Sequence, residues 1–392
     1  MIISFANSIH SIGKTRWNSI TGTENPFLRF EFLAALETHD CVGKNQGWIA
    51  QHLIIEDTEG GEILGLMPLY LKTNSYGELV FDWSWAEAYL QVGRHYYPKL
   101  VSAIPYTPVT SQRLFVAKGQ NEKRIRGEMI NALKQIARDN HLSSIHCLFP
   151  PEETCADFTA QGFISRLGCQ FHWHNLTDND HNYESFAHFL SCFASRKRKN
   201  INKERKRCAE QGISFQILSG SDIAPDLWPR IYHFYQKTFI EKGGYASFTQ
   251  TFFEEISQTM GHQLVVVLAI YKGDYVASAI SYRNHQSLYG RHWGCTEKFD
   301  SLHFETCYYQ GIDYAIEHKL QLFEPGAQGE HKISRGFVPT ETWSTHWIKD
   351  NDFRQAISQF VDKEKDYMHQ YISASRKHLP FKKDNPAAIK KP

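Results

Sequence analysis

Residues 264–294 read LVVVLAIY-KGD-YVASAISY-RNHQS-LYGRHWG. Leu264 to Tyr271 and Tyr275 to Tyr282 are apolar runs of strand length. Lys272-Gly273-Asp274 between them has room only for a tight turn, and Asn284-His285-Gln286 marks a second turn before Leu288 to Gly294. The spacing predicts a three-stranded antiparallel meander. On its N-terminal side, Leu227 to Ile240 sets Ile231, Phe234, Tyr235 and Phe239 at helical intervals, and Gly243-Gly244 ends that helix. On its C-terminal side, a helix from about His303 to His318 carries Phe304, Cys307, Tyr308, Ile312 and Ile316 on one face. A short strand, Leu320 to Phe323, follows. Helix, meander, helix and strand make one α/β unit.

The first half replays the plan. Asn25-Pro26 caps and opens a helix to about Glu37. Ala50 to Ile55, the turn Thr58-Glu59-Gly60-Gly61, Ile63 to Leu71, a turn at Asn74 to Gly77, and Leu79 to Trp83 read as a second meander. A helix near Glu122 to Arg138 and a strand from Ser144 to Phe149 complete it. Leu148-Phe149, Gly162-Phe163 and His172-Trp173 recur as Leu322-Phe323, Gly336-Phe337 and His346-Trp347, all in one register of 174 positions. The expectation is an internal duplication: an α/β (α+β) chain of two tandem domains around a shared cleft, residues 1–190 and 191–350. Between them, Ser185 to Gln211 reads as one helix that turns strongly basic from Arg196. Residues 351–392 read as a helical extension ending in a disordered tail.

The chain has 392 residues and a net charge of +1, so no global field draws it to nucleic acid or acidic lipid; any such binding needs a local patch. No signal-peptide pattern opens it, and its apolar runs are far shorter than a membrane helix requires. Eight scattered cysteines without a CxxC pair suit a reducing cytoplasm. His292, Cys295, His303 and Cys307 lack the paired spacing of a structural zinc site, so no metal is expected. The His/Trp pairs at 172 and 346 read as packing.

Group transfer without an enzyme nucleophile requires a base, a donor for the negative charge that develops, and alignment. The densest set of such groups is Glu324 to Arg335. Glu324 ends a strand, Gly326 and Gly329 turn the chain, and Glu330, His331, Lys332 and Arg335 follow. His331 or Glu330 can act as base, with Lys332 and Arg335 on carboxylate or phosphate; a solvated polar loop with glycines for turning is the plain alternative. Glu324, Gly326 and Gly329 would line the substrate. Asp82, Trp83, Trp85, Glu87 and Tyr89, with Tyr97, Lys99 and Thr107, read either as a second substrate-facing group suited to a peptide or sugar or as tryptophans packing a core edge. Arg196, Arg198, Lys199 and Lys203 lie in a run from Arg196 to Arg207 with eight basic residues and only Glu204 opposing. That density suits phosphate contacts to tRNA or acidic headgroups; a solvated helix flank is the plain alternative.

The order of elements resembles the GNAT acyltransferase fold, and two such units joined by a basic helix resemble the Fem family of peptidoglycan aminoacyl-transferases. The resemblance is to the bacterial FemAB-like N-acyltransferases, also labelled peptidoglycan biosynthesis or recognition proteins. It is carried by Asn25-Pro-Phe-Leu28, Phe81-Asp-Trp-Ser-Trp-Ala-Glu-Ala-Tyr89, Tyr97-Pro-Lys-Leu100, Pro105-Tyr-Thr-Pro-Val-Thr110, Gln170-Phe-His-Trp173 and Phe323-Glu-Pro-Gly-Ala-Gln-Gly-Glu-His-Lys332. In those relatives a glycine-containing loop after the last core strand leads to a lysine and then a Gly/aromatic pair. Gly326, Gly329, Lys332, Gly336 and Phe337 stand in those places. The resemblance implies a cytoplasmic transferase, peripheral at the inner membrane if associated with it. No permanent cofactor is implied. Acyl-CoA or aminoacyl-tRNA would be the co-substrate, and an amine, such as a cell-wall precursor, the acceptor. Two other readings stand beside it: a CoA-dependent N-acyltransferase of a small amine or lipid, and a non-catalytic module that binds peptidoglycan precursors. There are two departures. The coiled-coil arm of some cell-wall Fem transferases has no counterpart here. Cys295 to Leu302, where acetyl-CoA enzymes carry a glycine-rich pyrophosphate loop, contains no glycine.

Overall fold

The meander of residues 264–295 folds as its turns dictate. Leu264–Tyr271 pairs antiparallel with Asp274–Arg283, which pairs antiparallel with Ser287–Cys295. This is a computed structural model, and it describes residues 1–177, 181–327 and 329–382. Ile213–Ser219 adds an antiparallel strand on the outer side, and Leu322–Glu324 lies parallel to Ser287–Cys295 on the other. Helix Trp228–Glu241 packs on this sheet through Ile231, Phe234 and Tyr235. Gly294 permits the approach, because a Cβ there would lie 1.7 Å from the Phe234 carbonyl oxygen.

The helix expected over 303–318 is interrupted. Leu302–Phe304 and Gln310–Glu317 are α-helical, but Glu305–Tyr309 forms a π turn. The extra residue rotates Cys307, Tyr308 and Tyr309 relative to a regular helix, a device common at functional sites. Tyr308, Tyr309, Ile312 and Ala315 then enter a core with Phe323, Phe337, Phe189 and Phe193.

In the first half, two expected strands each split between two sheets. Trp48–Ala50 and His52–Glu56 separate at Gln51; Ile63–Met67 and Tyr70–Lys72 separate at Pro68, which has no N–H for the ladder. His52–Glu56 and Ile63–Met67 join Ile2–Ala6 and Phe115–Val116 in a small antiparallel sheet. Trp48–Ala50 and Tyr70–Lys72 continue into Lys99–Ser102 and Ser144–Leu148. The expected third strand at Leu79 to Trp83 is absent. Trp83–Gln91 is a helix instead, because Trp85 and Tyr89, one turn apart, are both buried. Helix Glu122–Asp139 covers the core through Ile125, Met129, Ile130 and Leu133.

The basic segment is two helices rather than one. Phe186–Ser191 stops where Phe193 turns into the core and Ala194 donates its N–H to the Pro380 carbonyl, and Ser195–Glu210 begins there.

The 174-residue register reappears in the elements. Strands Ile164–His174 and Val338–Ile348 are displaced by 174 positions at both ends. Gly162 and Gly336 both adopt positive φ, 84° and 88°, just before a buried phenylalanine. These strands carry the chain between units. Trp173 and His174 pair with Phe323 and Leu322, while Ser344 to Ile348 pair with Leu148 to Ser144. The compact units are therefore Met1–Cys169 with Glu341–Gln370, and Gln170–Thr340 with Tyr371–Pro392. The single break near 190 drawn from sequence does not follow this exchange, because pairing partners and not chain order decide where a strand belongs. Asn351–Arg376 is the expected C-terminal helix; residues 383–392, the expected tail, lie outside the described residues. No helix among the described residues is long and apolar enough to cross a membrane.

Candidate active site

In the second unit, Leu322–Glu324 ends at Pro325, and Gly326 and Gly329 turn the chain with φ of 99° and 118°. Non-glycine residues seldom adopt such angles, so the glycines are what let the chain reverse here. The six residues Glu330–Arg335 then wind as a 3-10 helix. Lys332 and Arg335 share one side of it and are buried, whereas Glu330 and His331 are exposed. The polar loop read from the sequence thus buries its two most strongly basic side chains.

Lys332 is 1% exposed and its Nζ donates to the Gly326 carbonyl at 2.6 Å. Burial, with Arg291 nearby, lowers its ammonium to about 7. Glu324 is buried beside Arg291, whose Nη2 lies 3.6 Å from Oε2. Burial raises the Glu324 carboxyl to about 7 despite that guanidinium. His172 is buried in the same surroundings, and burial pushes its imidazole down to about 3, so it stays neutral. An acid and a base that both change charge near neutral pH therefore share one buried patch with a fixed cation. Such perturbed groups mark functional sites more often than packed cores.

His331 and Arg335 are held differently. His331 Nε2 lies 2.8 Å from the Tyr308 hydroxyl, and partial burial of the ring on that side, together with Arg335 and Lys332, lowers its imidazole. Burial raises the Tyr308 phenol, so it remains protonated and able to donate to Nε2. Arg335 donates through Nη2 to both Glu204 oxygens, at 2.7 and 2.9 Å, and through Nε to Tyr309 at 3.0 Å. Its guanidinium also lies 3.4 Å from the centre of the Phe304 ring. Glu330 accepts from the Tyr371 hydroxyl at 2.9 Å.

Asp82, Trp85, Tyr97 and Lys99 do come together, in the first unit. Lys99 is fully buried; its Nζ donates to Glu78 Oε2 and Ser75 Oγ, both at 2.9 Å, and to Asp82. Burial opposes the charge on Asp82, but Lys99 and His146 hold its carboxyl at about 2. Burial raises Glu78 to about 7. Tyr96 donates to Asp82 at 2.6 Å, and Tyr97 shares a 2.8 Å hydrogen bond with Ser75. His146 and His346 meet Nδ1 to Nδ1 at 2.6 Å, and each has its Nε2 on a serine hydroxyl, Ser144 or Ser344. Trp85 packs on His346, while Glu87 faces solvent on the outer side of its helix.

The basic helix Ser195–Glu210 divides by charge partner. Arg205 pairs with Glu305 and Asp313, Arg207 with Asp300, and Glu204 takes Arg335. Arg196, Arg198, Lys199 and Lys203 make no ion pair among the described residues.

His292 packs among Tyr235, Phe248 and Phe253, and His303 between Trp293 and Tyr308. Among the described residues no group of three or more His, Cys, Asp and Glu side chains could hold a metal ion. Sequence reading missed Arg291, Glu78 and Tyr308. Arg291 carried a signal, a lone cation inside an apolar strand; Glu204 carried another, the one acid in a basic run.

The FemAB-like model, described as peptidoglycan biosynthesis/recognition, matches residues 8–383. The chain belongs to the FemAB-like family. No curated protein matches this FemAB-like chain. Among solved structures it is similar to the C-terminal domain of a putative lysylphosphatidylglycerol synthetase from Agrobacterium fabrum, with TM-score 0.53 and 8% identity. That match covers 91% of this chain and 97% of the other. It is also similar to FemX, with TM-score 0.52 and 12% identity, covering 91% and 100%. A third match is L-PGS from Bacillus licheniformis, with TM-score 0.50 and 10% identity, covering 84% and 96%. At these identities the likeness shows the fold, the tandem GNAT-like α/β architecture expected from the sequence.

Proposed function

We propose that this FemAB-like chain moves an acyl or aminoacyl group onto an amine by direct attack, with no covalent enzyme intermediate. The observation that carries the reading is that Lys332 and Glu324 are both buried with Arg291 near each, Glu324 at a strand end and Lys332 on the glycine-turned loop that follows it. The acceptor ammonium gives a proton to the Glu324 carboxylate. The free amine attacks the ester or thioester carbonyl. The oxyanion exchanges the Gly326 carbonyl for itself as the partner of Lys332 Nζ. Collapse breaks the bond to the leaving oxygen or sulfur, which takes the proton from Glu324, and the new amide nitrogen gives its remaining extra proton to the freed Glu324 carboxylate, which releases it to solvent. Cys307 is no nucleophile here, because burial pushes its thiol well above its ordinary value.

The family description supports a peptidoglycan-precursor amine as acceptor. The cations Arg196, Arg198, Lys199 and Lys203, which make no ion pair among the described residues, and the glycine-free stretch Cys295 to Leu302 favour aminoacyl-tRNA over acyl-CoA as donor. The reaction would take place in the cytoplasm, with any membrane contact peripheral. The direct test is incubation with charged tRNAs, acyl-CoAs and precursor amines, read by mass spectrometry. A precursor that gains one aminoacyl mass supports the reading. Tight precursor binding without transfer from any donor would make the chain a recognition module.

Two further outcomes are expected. Transfer should follow a bell-shaped pH profile centred near 7. Glu324 must be ionised, which requires pH above its raised value of about 7, and Lys332 must be protonated, which requires pH below its lowered value of about 7. Glu324→Gln should lower the rate and remove the acid limb; an acid limb that persists in that variant assigns the base elsewhere. Replacing Arg198, Lys199 and Lys203 together by Gln should flatten the salt dependence of tRNA binding by roughly two units of log–log slope, about 0.7 per lost contact to single-stranded phosphate. An unchanged slope removes the phosphate role.

A further inference from the structure

A pocket of about 370 Å³ lies in the second unit, on the far row of the short helix from Lys332. A 3-10 helix eclipses side chains three apart, so Glu330 and Ile333 form one row and Lys332 and Arg335 another. Glu330, Ile333 and Ser334 line the pocket together with Lys197 of the basic helix and Tyr371 and Ser375 of the C-terminal helix. The wall carries one lysine and one glutamate, and Ala374 and His378 complete its lining. Lys197 makes no ion pair among the described residues. Glu330 has its Oε1 on the Tyr371 hydroxyl at 2.9 Å, which orients the carboxylate and leaves Oε2 for a ligand. Ser375 is 6% exposed and Ile333 8%, whereas Glu330, Ala374 and His378 are exposed, so the pocket is small and open to water on one side.

We infer that this pocket binds a free α-amino acid as its zwitterion, with the carboxylate on Lys197, the α-ammonium on Glu330, and a short side chain against Ile333 and Ala374. A simple anion would meet Glu330 and a simple cation would meet Lys197; only a small molecule carrying both charges satisfies both walls. The volume falls in the lower range of small-molecule sites. Occupancy ties the basic helix and the C-terminal helix to Glu330–Arg335, so the bound amino acid restrains the same six residues that present Lys332 and Arg335. The inference goes beyond the transferase reading and does not depend on it, since binding is measured without any donor or acceptor.

The test is calorimetric titration of the full chain with alanine, alaninamide, N-acetylalanine and inorganic phosphate. Alanine is expected to bind. Alaninamide, lacking the carboxylate, and N-acetylalanine, lacking the ammonium, should each bind about tenfold more weakly, the scale of one lost charged hydrogen bond. Lys197→Gln should weaken alanine and abolish the discrimination against alaninamide, while keeping that against N-acetylalanine. Glu330→Gln should show the reverse pattern. Phosphate binding tighter than alanine, equal binding of all three alanine compounds, or no alanine binding at millimolar concentration would each overturn the assignment.

Discussion

Lys332→Met should lower transfer by about 10²–10³-fold, the scale of losing one preorganised oxyanion donor. Methionine is the appropriate replacement because Lys332 is 1% exposed. Alanine would leave a cavity and mix a packing defect into the rate, whereas methionine keeps most of the volume and removes only the charge and donor. The loss should fall on turnover more than on the donor's KM, since Lys332 meets the charge only as it develops. The alkaline limb of the pH profile should disappear with it. Turnover within a few-fold of the parent, with an unchanged unfolding transition, would falsify Lys332 as the oxyanion partner and point to Arg291.

Arg335→Ala acts on stability. Arg335 is bound by both Glu204 oxygens, by Tyr309 and by the face of Phe304, and its side chain is only 6% exposed. Removing it leaves the Glu204 carboxylate half-buried against the Tyr309 hydroxyl with no counter-charge. Breaking one side of a buried pair costs about 3–5 kcal/mol. Because Glu204 is 24% exposed and keeps some water, about 3 kcal/mol is expected here, measured by urea unfolding. Arg335→Lys should recover only part of it, since an ammonium cannot bridge two oxygens and stack on Phe304 together. A loss below about 1 kcal/mol would show that this pair is a surface contact rather than a lock on the loop.

The sequence named Arg335 as a ligand-binding cation, but the structure engages it internally. The difference has a physical source. A sequence shows that a basic residue follows a glycine turn, but not that Glu204, 131 positions upstream, meets it at 2.7 Å. The same holds for Lys99. Read as a substrate contact, it is fully buried and neutralised by Glu78 and Asp82. The 303–318 helix was legible from its apolar period, while the π turn inside it was not, because a π turn leaves that period nearly unchanged.

What the sequence by itself determined is local. The turns Lys272-Gly273-Asp274 and Asn284-His285-Gln286 set the meander, since chains that short can only reverse. The glycines at 326 and 329 set the reversal before Glu330. The 174-residue register set the equivalence of Ile164–His174 and Val338–Ile348. Tertiary structure alone decided which unit each of those strands completes, which cations of the basic helix are neutralised, and which carboxyls, Glu78 and Glu324, burial raises to about 7. Charge state and strand partnership depend on burial and on neighbours far along the chain. A group's pKa is the balance of lost hydration against one particular counter-ion, and that balance exists only once the chain has brought the two together.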